Sequence, residues 1–171
     1  MGKKHGFGKY YWADGSKYEG TWVMNSIEGF GKYEWPDARS YEGCWKDDKL
    51  HGHGTYLWPD GRKYEGSYCL DRKHGHGTHF WPDGRKYEGN WVDGKQHGMG
   101  VYTNDRGTAR PGTWSKGVRV RWIEDEEDLQ GSPFSKPTSL ASQGVLSDHD
   151  VLDENPISPR TANFSGTSFS S

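Results

Sequence analysis

The chain has 171 residues, of which 25 are glycine and 25 aromatic, and only 30% are apolar, well under the about 45–50% of an ordinary domain. That composition excludes a thick core of packed Leu, Ile and Val, and no run of about 18 apolar residues is present to cross a membrane as a helix. The net charge of −2 divides into 20 Lys and Arg against 15 Asp and Glu over residues 1–123, and 2 against 9 over residues 124–171, a basic body followed by an acidic tail.

The chain opens on Met1-Gly2-Lys3-Lys4-His5, which has no apolar stretch of a secretory signal. Gly6 stands where a myristoylation motif needs Ser or Thr. From there a repeat takes over. His5-Gly6-Phe7-Gly8 returns as Glu28-Gly29-Phe30-Gly31, His51-Gly52-His53-Gly54, His74-Gly75-His76-Gly77 and His97-Gly98-Met99-Gly100. Tyr18-Glu19-Gly20 returns at Tyr41, Tyr64 and Tyr87. Two further columns read Trp22, Trp45, Tyr68, Trp91, Trp114 and Trp12, Trp35, Trp58, Trp81, Asn104. Every step is 23 residues, the mark of one supersecondary unit repeated in an array.

Each unit predicts a β-hairpin. In the third, Gly54–Trp58 and Arg62–Tyr68 flank the turn Pro59-Asp60-Gly61. Only a three-residue loop, with Gly61 in the left-handed bulge position, puts Tyr56 opposite Tyr64 and Gly54 opposite Gly66 on one face. That face carries Tyr, Trp, Tyr, Gly and Tyr or Trp in each copy, and its glycines leave room for rings to lie flat. The polar segments between units read as inter-repeat loops. In the fifth unit Pro111 replaces the Glu column, which predicts an edge strand acting as a C-terminal cap. The N-terminus begins inside a repeat and leaves an open edge over residues 5–12, through which a second copy would form a homodimer.

The fold class expected is all-β: an elongated single-layer antiparallel meander of about five 23-residue hairpins over residues 1–122. At roughly 9–10 Å per repeat it is on the order of 45–50 Å long. Residues 123–171 read as a disordered tail with the acidic run 124–128; Ser132-Pro133 and Ser158-Pro159 fit ordinary linker dipeptides at least as well as proline-directed phosphorylation sites, and Leu146–Leu152 reads as part of the tail rather than as a short helix formed on a partner.

His51, His53, His74 and His76 lie one repeat apart, too far for a shared tetrahedral zinc, so no metal or cofactor is expected. Cys44 and Cys69 match no zinc spacing and read as reduced thiols of a cytoplasmic chain. The Gly-x-Gly pairs precede no helix and make no phosphate loop. Glu19, Glu42, Glu65 and Glu88 form a row beside Lys17, Lys63 and Lys86, read as surface ion pairs rather than acid–base catalysts. The aromatic face, Tyr10, Tyr18, Trp22, Tyr33, Trp45, Tyr56, Tyr64, Tyr68, Tyr87 and Trp91, is the expected binding surface for a peptide or helix of a protein partner. Arg62, Lys63, Arg85 and Lys86, with Arg72 and Lys73 in the loops, are the expected contacts for an anionic membrane lipid. A net +5 over the array is weak for nucleic acid, which is not expected as a partner.

The Tyr-Glu-Gly-x-Trp, His-Gly-x-Gly and Pro-Asp-Gly segments in a constant 23-residue register resemble the MORN (membrane occupation and recognition nexus) repeat family over about 70% of the chain. Ala13, Ala38 and Tyr68 depart from its pattern, and the fifth copy is degenerate. The resemblance implies a non-enzymatic scaffold or binding module in a cytoskeletal or ciliary setting. It also implies, as alternatives, a peripheral phosphoinositide-binding module at the cytosolic membrane surface, or the regulatory array of a larger lipid-kinase-like protein.

Overall fold

The computed structural model describes residues 2–123. They form eleven strands: β1 Gly6–Tyr11, β2 Lys17–Val23, β3 Ser26–Glu34, β4 Ser40–Lys46, β5 Lys49–Leu57, β6 Lys63–Cys69, β7 Arg72–Phe80, β8 Lys86–Val92, β9 Lys95–Thr103, β10 Ala109–Ser115 and β11 Val118–Trp122. All belong to one antiparallel sheet whose spatial order is the chain order, and none of the described residues is helical. The all-β single-layer meander expected from the 23-residue register is the observed fold. The readings of the tail from residue 124 onward lie outside the described residues.

Two turn types alternate. Turns at the Pro-Asp-Gly positions, of which only 59–61 and 82–84 carry that sequence in full, join odd to even strands with the three-residue loop that parity demands. Trp58 N–H donates to the Arg62 carbonyl and Gly61 N–H to the Trp58 carbonyl, both at 3.0 Å, and Tyr56 pairs with Tyr64 and Gly54 with Gly66. Gly61 has φ +89°, a left-handed conformation that favours glycine. In the second unit the same position is Ala38, at φ 67°. Its Cβ strains the turn, so Ala38→Gly should raise stability by about 1 kcal/mol, read as a higher urea midpoint.

The segments between units differ from the loops expected. They are two-residue turns with both central residues at positive φ, as at Asp47-Asp48 and Leu70-Asp71, the turn geometry that matches strand twist. The odd strands accordingly begin earlier than read, so Lys49, Arg72, Lys73 and Lys95 lie in strands. These turns also tie successive repeats together. Asp48 N–H donates to the Ile27 carbonyl while its carboxylate accepts from Ile27 N–H at 2.7 Å. Asn25 clasps Lys4, and Asp71 clasps Leu50, in the same way. At Gly94 and Gly117 only the backbone half of the clasp remains.

The C-terminal end needs a second correction. β10 is not the edge: β11 covers Gly112–Ser115, and the sheet ends there. Pro111 faces the outer side, where its carbonyl accepts from Ile123 N–H at 2.9 Å. Its missing N–H therefore falls where the pairing of β11 runs out. Ile123 is itself buried, so the packed array reaches at least one residue past 122.

Candidate functional site

The first candidate site, the aromatic face, rests on a row of glycines. Gly8, Gly20, Gly31, Gly43, Gly54, Gly66, Gly77, Gly89, Gly100 and Gly112 pair with one another across ten consecutive strands. They form a trough without side chains. The rings of Tyr18, Tyr41, Tyr64 and Tyr87 lie down in it, so that a Cβ added at Gly54 would fall 2.3 Å from the Tyr41 hydroxyl oxygen. Each hydroxyl then finds a buried partner. Where each even strand has one residue, at 21, 44, 67 and 90, the facing stretch of β3, β5, β7 and β9 has three, so the bulge lies in the odd strand, and the four hydroxyls donate to the carbonyls of residues 21, 44, 67 and 90 at 3.0–3.2 Å. Burial pushes all four phenols up from their ordinary pKa. Trp45 and Trp91 stand edge-on to these rings and donate Nε1–H to the Gly31 and Gly77 carbonyls at 3.0 Å.

This arrangement gives one sheet a core without a second layer. Of the ten rings expected to meet a partner, nine are under 5% exposed and Tyr10 is partly buried. They are closed by one another and by the sheet, so the face expected to bind a partner is a packed layer. The exposed large apolar side chains include Phe7, Phe30, Leu57, Met99 and Val101, all on the opposite, open face.

Between β6 and β7 the layer takes in a fully buried cation. The column that reads Lys4, Ile27, Leu50, Lys73, Gln96 puts Lys73 among the core residues at 2% exposure. Its ammonium sits 4.9–5.1 Å from the ring centroids of Trp58, Tyr64 and Trp91, a cation–π cage. Directly opposite is Tyr68, standing where the other units have Trp. Nearby His79 replaces the Tyr of its column, fully buried, with neither ring nitrogen hydrogen-bonded. Burial, then the charges of Lys73 and Arg62, lower its pKa from 6.5 to about 2.

The basic candidates are distributed differently from the reading. Lys73 is buried and offers no surface to a lipid headgroup. Arg62 and Arg85 stack over Trp58 and Trp81 and pair with Asp60 and Asp83 of their own turns at 2.6 Å. Lys63 and Lys86 pair with Glu65 and Glu88, and Arg72 with Asp93. Five of the six are thus charge-compensated at the surface, which weakens any single attraction to an anionic plane. Among the described residues no group of three or more His, Cys, Asp and Glu side chains could hold a metal.

The family model described as MORN repeat matches residues 1–17, 18–37, 41–61, 64–84 and 87–108, together more than half of the chain. The chain belongs to the MORN repeat family. A comparison with curated proteins finds no match to it. MORN arrays are a repeat scaffold type and not an enzyme family. The columns that repeat through this MORN array are those that build the glycine trough and its rings. Its individual character lies instead in the departures: Lys73, His79 and Tyr68 in the layer, and the side chains of the open face.

The open face of the MORN sheet is a lattice of cross-strand rows. One runs Lys9, Glu19, Lys32, Glu42, Thr55, Glu65, Thr78, Glu88, Val101. Lys9 pairs with Glu19 at 3.0 Å, and Lys17 and Lys32 both pair with Glu34. Hydrogen bonds from these two ammonium groups hold the Glu34 carboxyl below its usual range. The glutamate row is therefore a row of surface ion pairs as expected, except at Glu42. A groove of about 440 Å³ opens beside that residue.

Proposed function

We propose that this MORN array is a non-enzymatic scaffold that binds a protein partner through the open face of its sheet. The supporting observation is the division between the faces. The aromatic face is consumed by the core, whereas the open face bears exposed Phe7, Phe30, Leu57 and Met99 over a regular lattice of charges. Apolar groups spaced along a rigid polar sheet suit a partner laid across several strands. A cytoskeletal or ciliary structure is the setting expected of the family. A photo-crosslinking side chain placed at Phe30 or Met99 should capture a partner in the native cell. The same group at Arg106, in a turn, should not. Equal capture from all three positions, or none from the open face, would overturn the proposal.

A further inference from the structure

The open-face lattice has a gap at Glu42. Three of the four residues preceding Tyr-Glu-Gly are lysine, Lys17, Lys63 and Lys86, and the fourth is Ser40. In the row beside it Lys9 and Lys32 give way to Thr55. Both short side chains fall next to Glu42, which faces Lys32 on β3 and Thr55 on β5. The Lys32 ammonium lies 2.8 Å from Glu34 instead. Glu42 is consequently the one member of its column without an ion pair, where Glu19, Glu65 and Glu88 each have one. The groove lies at this point, with Ser40, Glu42, Thr55 and the Glu34-bound Lys32 in its lining and Phe30 and Leu57 on its walls, 59% and 44% exposed. The two substitutions that open the groove are the same two that leave Glu42 without an ion pair of its own, since Lys32 acts on it only at longer range while bonded to Glu34.

We propose that this groove receives a Lys or Arg side chain of a partner segment, with an apolar partner residue beside it. The aliphatic stem of such a side chain packs on Phe30 and Leu57 while its charged head reaches Glu42 and the Ser40 and Thr55 hydroxyls. A neighbouring apolar residue covers the remainder of the walls. Charge complementarity selects a foreign segment over the chain's own tail, since residues 124–171 hold only 2 basic against 9 acidic side chains. The inference rests on the open face being the binding face and specifies the chemistry of what binds there.

The test is a library of random 12-residue peptides displayed on phage and panned on the full chain. Enriched peptides should carry Lys or Arg beside an apolar residue. Ser40→Lys restores the column residue, fills the groove and neutralises Glu42 from within, and should weaken the enriched peptides at least 5-fold. Glu42→Gln, which keeps the shape, should weaken them by a similar factor and remove most of their salt dependence. Both changes are at the surface, and unchanged thermal melts check that the sheet is intact. Absence of enrichment, enrichment without basic residues, peptides matching residues 124–171, or equal binding to Ser40→Lys would each overturn the proposal. If crosslinking from Phe30 persists undiminished in Ser40→Lys, open-face binding stands and the cation site fails. Loss of open-face capture in the unaltered chain defeats both.

Discussion

Replacing Gly54 with alanine should destabilise the protein by about 3–5 kcal/mol, whereas Gly8→Ala should change stability by no more than about 0.5 kcal/mol. Both glycines belong to the same row across the sheet. At Gly54 the new methyl would meet the Tyr41 hydroxyl oxygen, Cζ and Cε2 at 2.3–2.5 Å. The ring must leave its place, and with it go a fully buried side chain, the hydrogen bond to Cys44 and two edge-to-face contacts, with Trp45 and Tyr68. At Gly8 the nearest atom is Trp22 Cδ1 at 3.9 Å, an ordinary contact. No tyrosine lies over it, because the tyrosine column begins at Tyr18. Urea unfolding followed by tryptophan fluorescence measures both. Tyr41→Ala combined with Gly54→Ala should be much less destabilising than the sum of the single changes, since the ring that clashes is gone. Equal effects at the two glycines would mean that the trough is not what seats the rings.

His79→Tyr should remove an acid sensitivity worth about 2 kcal/mol between pH 6.5 and 4.5. The folded state holds His79 neutral, with a pKa lowered to about 2 by burial first and the charges of Lys73 and Arg62 second. The unfolded chain takes up a proton below about pH 6.5 that the folded state refuses. Stability contributed by this group is therefore complete above pH 6.5. It is lost as pH falls toward 2, by up to about 1.4 kcal/mol per unit. Tyrosine, the residue of the same column at 33, 56 and 102, does not titrate there. The measurement is the difference in urea midpoint between pH 7 and pH 4.5, compared between the original chain and the variant so that the carboxylates cancel. Identical pH dependence in the two would show that His79 is not closed off.

Much of this architecture was legible in the residues because the 23-residue register fixes parity. Once Tyr56 must face Tyr64, the turn length, the shared face and the glycine row follow. What escaped were features whose residues look like something else. Leu70-Asp71 and Met24-Asn25 do not announce a tight turn, since no glycine marks their left-handed positions. Lys73 reads as a solvated loop lysine until β7 is seen to start at Arg72, which turns it inward beneath three rings. β11 lies outside the Pro-Asp-Gly frame, and its mark is the alternation Val118-Arg119-Val120-Arg121-Trp122 alone. The aromatic face reads as a binding surface because composition shows how many rings there are, but not that glycines let them lie flat and close on one another. The residues around Glu42 carry an even weaker signal. Ser40 and Thr55 are unremarkable singly and become a pair only when strands β4 and β5 are laid side by side.

Every strand pairs only with its immediate neighbours in the chain, and the first and last strands share no boundary. Such a molecule has no closing step that joins distant parts, so its contacts are local in sequence and its loop-closure costs small. Folding can start at any hairpin and spread in either direction, and damage at one unit need not travel to the others. Growth is equally simple: inserting another 23 residues in register lengthens the sheet by about two strand spacings and disturbs neither end. The chain is in this sense a ruler, on which the distance between two docking points is set by counting repeats.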